Sequence, residues 1–267
     1  KIFLKYFLLF VTLVLTFFLP VSDRVQADPG TTAGKTETLT AFFESWTESG
    51  VQADADKEPL PTADPGMKAY LTFDDGPDPA WSPQVLAVLR KYRAHATFFM
   101  IGRNAATFDD MIVQIASDGN TLANHTYNHQ DLTTLNYTGF SLEVGDTDQA
   151  IRYALRGHPE LLSQVTRCLR PPYGSTNQQV YSYAAQMGYS ISMWNLDTRD
   201  WAGTSPQDIL TDFTAKLQPV RVILFHDGGE KRHNTVEALD LILHELIMQG
   251  YQVLPYCTEA GQAIIGG

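Results

Sequence analysis

From residue 69 onward the sequence alternates short apolar runs with amphipathic stretches, and this alternation limits the possible folds more than any other feature. Repeated strand–helix units imply parallel strands, because each helix returns the chain to the same end of the sheet. About seven such strands are predicted, and closing them into a barrel would leave no unpaired edge. The sequence therefore predicts an α/β barrel in a single domain, with a doubly wound open sheet as the alternative.

The predicted elements follow from hydrophobic periodicity and from Gly and Pro stop signals. Strands are expected at 70–73, 96–101, 122–124, 168–170, 190–195, 221–225 and 251–256. Helices are expected at 83–92, 109–117, 142–155, 178–187, 206–216 and 235–249, with a helical turn at 160–165.

The N-terminal segment has the layout of a secretory signal peptide. Lys1 and Lys5 precede an apolar run at 6–19, and small residues precede a cleavage point after Ala27. An uncleaved signal anchor is the alternative, although the run is shorter than the ~20 residues that span a bilayer. We expect a signal peptide at 1–27, a linker or stalk at 28–68 with a short helix at 39–47, and the domain at 69–267. The protein is then secreted or associated with the cell surface.

Composition narrows the choice of partners and cofactors. The chain is 44% hydrophobic and 18% charged, which suits a globular protein with a large core. A formal net charge of −11 argues against nucleic acid as a partner. No G-x-G-x-x-G follows a predicted strand, so a nucleotide cofactor is not expected. The two cysteines, Cys168 and Cys257, either pair in an exported protein or remain buried thiols.

Two adjacent carboxylates, Asp74 and Asp75, end the first predicted strand just before Gly76-Pro77. At a strand terminus the backbone turns, so both side chains can reach one pocket. Such a pair is costly to desolvate unless a cation or base offsets it. The alternative is a surface turn, because Asp before Gly-Pro is common turn chemistry.

Two histidines follow the third predicted strand in the run HTYNH. His125 and His129 are four residues apart, so on a helical turn both imidazoles would face one ion. With a carboxylate from elsewhere they would form a two-His, one-Asp metal site. The pair alone is a weak signal, since many helices carry this spacing by chance.

Three more polar clusters also stand just past predicted strands, whose ends converge in a β/α barrel. In LRPPYG, Arg170 is suited to holding a carboxylate, and the two prolines leave the backbone amide of Tyr173 free to donate. The alternative is a structural turn with a surface arginine. His226 ends another strand and can donate a proton, with its pKa raised if Asp200 of DTRDW lies behind it. Asp227 is either an orienting group or a turn residue.

Five motifs in order carry a family resemblance: TFDDGP at 72–77, HTYNH at 125–129, RPPYG at 170–174, DTRDW at 197–201 and LFHD at 224–227. Together they resemble the polysaccharide deacetylases of carbohydrate esterase family four, the NodB-homology group, over residues 68–256. The resemblance implies a distorted (β/α)7-type, TIM-like barrel with a single catalytic domain.

The resemblance also implies a role for each motif residue. One divalent metal, most often zinc and sometimes cobalt or nickel, would be bound by Asp75, His125 and His129. Asp74 would be the general base acting on the metal-bound water, although it could instead be a second ligand with His226 as the base. In the favoured scheme His226 would protonate the departing amine, and Asp200 would orient His226. Arg170 would hold Asp74, and the backbone amide of Tyr173 would donate to the oxyanion. Trp201 and Leu224 would line the pocket for the acetyl methyl group.

The predicted function is that of a secreted, metal-dependent hydrolase that removes N-acetyl groups from the N-acetylglucosamine of a glycan. Cell-wall peptidoglycan is the first substrate expected, followed by chitin oligomers and then by the O-acetyl esters of xylan. A catalytically inactive carbohydrate-binding relative is a different class of protein, but every motif residue is intact. A serine hydrolase is not supported because no G-x-S-x-G occurs. We expect the enzyme to be a monomer.

Overall fold

The computed structural model describes residues 62–229 and 231–257. The predicted signal peptide, most of the predicted linker with its helix at 39–47, and the last ten residues of the predicted domain lie outside the described residues. None of the helices in the described part is long and apolar enough to cross a membrane.

Eight strands form one parallel sheet that curls into a half-barrel. The strand order is β5-β4-β3-β2-β1-β7-β6, and β8 also pairs with β1. β7 lines one edge of β1 along its whole length, whereas β8 and β2 pair with its first and last residues. The strands are β1 (Lys68–Asp74), β2 (Thr97–Met100), β3 (Thr121–Asn124), β4 (Val165–Leu169), β5 (Ser190–Ile191), β6 (Leu196–Asp197), β7 (Val220–His226) and β8 (Gln252–Leu254).

Seven α-helices of the described residues connect these strands and cover the sheet. They are α1 (Ser82–Tyr92), α2 (Gly102–Thr107), α3 (Asp109–Ser117), α4 (Tyr137–Ala154), α5 (Gln178–Gln186), α6 (Pro206–Ala215) and α7 (His233–Met248). Short 3-10 turns occur at Leu132–Thr134, Pro159–Gln164, Pro172–Gly174 and Asp200–Ala202. This is the curled α/β arrangement that the alternation predicted, although among the described residues the barrel stays open between β5 and β6, which each pair with one strand only.

The core lies between the sheet and its helices, with β1 at its centre. Phe73 of β1 stacks on Phe98 of β2 and Phe225 of β7, with ring centroids 5.0 and 5.5 Å apart. All three side chains are fully buried. Because β1 is fixed on both edges and packed on its face, the residues at its carboxyl end are held in place.

Two predicted elements were wrong in their extent. The strand expected at 190–195 is two separate pairs of residues, because the carbonyls of Ser192 and Met193 leave the ladder and accept hydrogen bonds from Arg170. α4 begins five residues before the predicted start, since the Asn136 side chain caps it by accepting from the Gly139 amide. The helix α2 was not predicted at all.

A disulfide joins Cys168 of β4 to Cys257, just beyond β8. The two residues are 89 positions apart in sequence, so the bond closes a long loop across the sheet. Both side chains are completely buried. The pairing that the sequence left open is therefore present in the structure.

Candidate active site

The five sequence motifs meet at one edge of the sheet. β1 ends at Asp74, β3 at Asn124, β4 at Leu169, β6 at Asp197 and β7 at His226. Parallel pairing brings these carboxyl ends to the same side of the barrel, where the following loops can share one cleft.

Three of the motif side chains form a compact donor cluster. The Asp75 Oδ1 atom lies 3.5 Å from Nε2 of His125 and 3.3 Å from Nε2 of His129. One ligand atom from each of the three residues lies within 4.8 Å of the others. Ligands held ~2.1 Å from a tetrahedral ion are separated by about 3.4 Å, so the two measured distances fit donors that share one metal.

Hydrogen bonding around the cluster also suits a metal site. Asp75 Oδ1 is buried and has no hydrogen-bond partner, which is costly unless a cation satisfies it. The Nδ1 atom of His125 lies 2.7 Å from the Arg170 carbonyl, which can only accept, so Nδ1 carries the proton and Nε2 presents its lone pair. The donor set therefore fits a divalent metal.

The pKa values of Asp75 and His129 favour the forms that bind metal, whereas burial of His125 is outweighed by the charges of Asp74 and Asp75, which raise its pKa in the absence of an ion. Burial tends to raise the pKa of Asp75, but the nearby imidazole of His125 and the charges of His226 and His129 lower it to about 2. Burial and the neighbouring charge of His125 lower the pKa of His129. At neutral pH these effects keep the carboxylate ionised and favour a neutral His129.

The predicted helical turn between the histidines was wrong. His125 follows β3 directly, and the residues up to His129 form an irregular loop. Thr126 and His129 have φ angles of 66° and 61°, in the left-handed region. The histidines therefore converge through loop geometry rather than through helical spacing.

Asp74 has a partner of its own. Arg170 is fully buried and donates from Nη1 to Asp74 Oδ1 at 2.7 Å and to Thr72 Oγ1 at 2.8 Å. Its guanidinium also lies 4.0 Å from the ring centroid of Phe99. The second Asp74 oxygen is 3.7 Å from His125 Nε2. Asp74 is thus held beside the donor cluster, with one oxygen committed to Arg170.

His226 is held by the buried carboxylate of Asp200. Its Nδ1 lies 2.8 Å from Asp200 Oδ1, and its backbone amide donates to Asp200 Oδ2 at 2.9 Å. Thr235 donates from its hydroxyl to the same Oδ2 atom at 2.8 Å. Burial lowers the pKa of His226, but the hydrogen bond and charge of Asp200, with the charges of Asp74 and Asp75, raise it overall.

Asp227 lies directly under the turn that carries the acidic pair. Its carboxylate accepts from the Ser82 hydroxyl, and its amide donates to the Asp74 carbonyl. A Cβ added at Gly76 would come within 2.4 Å of both Asp227 carboxylate oxygens. Burial, opposed by the Ser82 hydrogen bond, raises the pKa of Asp227 to about 7. Asp227 therefore supports the turn rather than lying in a surface loop.

The remaining predicted residues are Tyr173, Trp201 and Leu224. Tyr173 has a φ of 61°, its ring contacts His129 with centroids 4.7 Å apart, and its side chain is exposed. No backbone acceptor in the described part of the chain takes the Tyr173 amide hydrogen. Trp201 is half exposed, whereas Leu224 is buried within β7.

Sequence reasoning missed two supporting side chains. Asn104 of α2 donates from Nδ2 to the Asp75 carbonyl at 2.9 Å, and Thr235 of α7 bonds Asp200. Thr235 opens the stretch TVEAL, which resembles the helix after the histidine motif of the family, so a signal for it was present. Asn104 lies in a helix without a strong periodic pattern, and the sequence offered no signal for it.

Comparison with known proteins identifies the family. The polysaccharide deacetylase family model matches residues 62–192. A peptidoglycan-N-acetylglucosamine deacetylase of Bacillus cereus is 38% identical, over 68% of this chain and 83% of the relative. The chain belongs to the polysaccharide deacetylase family. The predicted family, and with it the predicted class of enzyme, a deacetylase hydrolase, are confirmed.

Two other relatives agree with this assignment. A chitooligosaccharide deacetylase of Bradyrhizobium sp. (strain ANU 289) is 36% identical, over 70% of this chain and 87% of the relative. The structure of a family 4 carbohydrate esterase from Streptomyces lividans in complex with acetate is 31% identical. That structure superposes with a TM-score of 0.64, over 74% of this chain and 97% of the esterase, so the predicted (β/α)7-type fold is also confirmed.

Proposed function

We propose that this deacetylase removes N-acetyl groups from N-acetylglucosamine residues of an extracellular glycan, with peptidoglycan as the first substrate and chitin oligomers as the second. The observation that carries the proposal is the donor cluster of Asp75, His125 and His129, flanked by a carboxylate bound to Arg170 and a histidine bound to Asp200. Relatives named for both glycans support this choice of substrate class.

Asp75, His125 and His129 would hold one divalent metal ion, which we propose is Zn²⁺, with Co²⁺ or Ni²⁺ as alternatives. Two imidazole nitrogens and one carboxylate oxygen are a donor set that catalytic zinc uses while it keeps a position open. Such an ion lowers the pKa of water and polarises a carbonyl. The unsatisfied Asp75 oxygen supports this assignment.

Asp74 would be the general base that accepts a proton from the attacking water. Its Oδ1 atom is bound to Arg170, so Oδ2 is the oxygen available for the proton. Because one oxygen is committed to Arg170, the alternative in which Asp74 is a second ligand fits less well.

His226 would be the general acid that protonates the departing amine at its Nε2 atom. Asp200 holds Nδ1, which leaves Nε2 as the nitrogen that can face the substrate. The raised pKa of His226 favours the protonated form at neutral pH. Asp200 orients this ring in the way that the buried carboxylate of a hydrolase triad orients its histidine.

The developing oxyanion would be held by the Tyr173 backbone amide. That amide has no competing backbone acceptor in the described chain, and donors aimed at a developing charge act in the transition state. We propose that Trp201 and Leu224 border the acetyl methyl group. The disulfide supports a location outside the cytoplasm, either secreted or at the cell surface, because such bonds persist in oxidising compartments.

An acetate-release assay with Zn²⁺ present tests the proposal. The wild type should release acetate from peptidoglycan strands or chitin oligomers, with acetylated xylan as a third substrate. The Asp74→Asn variant should retain the metal while acetate release falls by about 10²–10⁴-fold, the contribution typical of a general base. Loss of metal from that variant would instead make Asp74 a ligand. No acetate from any substrate would contradict the proposed function and favour a non-catalytic glycan-binding relative.

A further inference from the structure

Asp200 also lines a second cleft, whose lining residues do not include Asp75, His125 or His129. Its volume is about 770 Å³, and its walls include Trp81, Trp201 and the segment that enters α7. Asp200 lines the cleft but is already committed, since its oxygens accept from His226 and Thr235. Among the other groups of this cleft, the proposed reaction uses only Trp201, beside the acetyl methyl group.

Arg232 is the principal charged group in this cleft. Its side chain is 93% buried and lines the cleft, and its Nε donates to the Gly228 carbonyl at 2.8 Å. None of the described residues accepts a hydrogen bond from its two Nη atoms. A buried guanidinium is costly unless an anion pairs with it.

The start of α7 adds to the positive potential at the same place. Arg232 is the N-cap residue, no side chain caps this end, and the first turn contains no acidic residue. The amide dipoles of a 16-residue helix favour an anion at its N-terminus. Lys231 also lines the cleft and is exposed. Among the described lining residues Asp200 is the one carboxylate, and Glu230, between the lining residues Gly229 and Lys231, lies outside the described residues.

The cleft also has the aromatic walls that a sugar requires. Trp81 and Trp201 both line it, and Trp201 has 53% of its side chain exposed. Apolar faces of pyranose rings pack on such indole rings, because burial of their C–H surface is favourable. An anionic group carried on a sugar would therefore match both kinds of lining residue.

We infer that this cleft is a subsite for a carboxylate-bearing sugar next to the residue being deacetylated, with Arg232, Lys231 and the α7 N-terminus binding the carboxylate. The inference rests on the proposed function and narrows its substrate to glycans whose neighbouring sugar is acidic. In peptidoglycan that carboxylate comes from the lactyl ether of muramic acid or from the attached peptide. Chitin offers no carboxylate.

Equilibrium binding to the full chain tests the subsite without requiring catalysis. The probe is a peptide-free tetrasaccharide of alternating N-acetylglucosamine and N-acetylmuramic acid, compared with the same tetrasaccharide whose lactyl carboxylates are converted to methylamides. We expect the carboxylate form to bind at least tenfold more tightly, the range of a hydrogen-bonded charged group. A third probe that carries peptides on its lactyl groups distinguishes the two sources of carboxylate.

Substitutions in the cleft should reduce the ratio of the dissociation constant of the methylamide probe to that of the carboxylate probe. Arg232→Gln should bring it close to one, and Lys231→Ala should lower it two- to fivefold, as expected for an exposed charge. Lys216→Ala is the matched control, since Lys216 is an exposed lysine paired with Asp212 outside the cleft, and it should leave the ratio unchanged. If Arg232→Gln does not fold, Lys231→Ala still decides, because its side chain is exposed.

The outcomes separate the subsite from the proposed function. Equal affinity of the folded wild type for all three probes would overturn the subsite even if acetate is released. The subsite would also be overturned if both Lys231→Ala and a folded Arg232→Gln left the ratio of the two dissociation constants unchanged. A carboxylate preference that these variants reduce would support the subsite even if no acetate is released, a result that would contradict only the proposed reaction.

Discussion

Replacing Arg170 with Met tests how the acidic pair is held. Methionine is of similar length and keeps the apolar contact with Phe99, but it removes the charge and all of the donors. The Arg170 and Asp74 side chains are 0% and 4% exposed, and their closest nitrogen and oxygen atoms are 2.7 Å apart. The substitution therefore leaves a buried carboxylate without its cation, and leaves the Ser192 and Met193 carbonyls without their donor.

The expected cost is about 3–5 kcal/mol in the free energy of unfolding, the usual result of removing one partner of a buried ion pair. At an effective dielectric constant of about 20, the Coulomb attraction at this distance is about 6 kcal/mol, so the expected cost is of the right size. For a domain of this size each kcal/mol lowers Tm by about 2–4 °C, which gives a fall of about 6–20 °C.

Thermal unfolding with a chelator present measures this cost, because bound metal would otherwise stabilise the folded state. The double variant Asp74→Asn with Arg170→Met removes the orphaned charge as well. It should lose about 1–3 kcal/mol less than the sum of the two single variants, as expected for residues in direct contact. Additive losses, or a Tm of Arg170→Met within 2 °C of the wild type, would refute the reasoning.

Three further predictions concern the acid, the turn and the disulfide. Asp200→Asn removes the charge that raises the pKa of His226. Because a general acid must be protonated, activity falls as the pH rises through the pKa of His226. The alkaline limb of the kcat/KM profile of this variant should therefore lie at lower pH than that of the wild type. An unmoved limb would mean that another group is the acid. Gly76→Ala should cost about 1–3 kcal/mol in urea unfolding, because its Cβ meets the Asp227 carboxylate, whereas Gly157→Ala has open space and should not show this cost. Replacing Cys168 and Cys257 with Ala should lower the free energy of unfolding by about 2–5 kcal/mol, given the 89-residue separation, and equal stability would exclude a structural role.

The sequence was sufficient for the elements that depend on local periodicity. The helix at 109–117 was predicted with its observed bounds, and β1 and β7 were found because apolar runs end at Asp74 and His226. Placement of the motif residues at one edge of the sheet follows from parallel strands alone. The expected pairs of Asp74 with Arg170 and Asp200 with His226 are both observed.

What the sequence could not provide depends on the backbone between the motifs. Thr126 and His129 adopt left-handed conformations, which a glycine in the sequence would have indicated. Because neither residue is a glycine, the loop was mistaken for a helical turn. The strand at 190–195 was broken by hydrogen bonds to Arg170, a residue 22 positions away from Ser192. The disulfide depends on an approach of two distant segments that no local pattern encodes.

The measurement that tests the central claim most directly is acetate release by the purified protein before and after removal of metal. Activity on N-acetylglucosamine-containing glycan should disappear when a chelator strips the protein, and Zn²⁺ added back should restore it. The His125→Ala and His129→Ala variants should bind metal more weakly than the wild type under the same dialysis. Undiminished acetate release from protein shown to be metal-free would contradict the account.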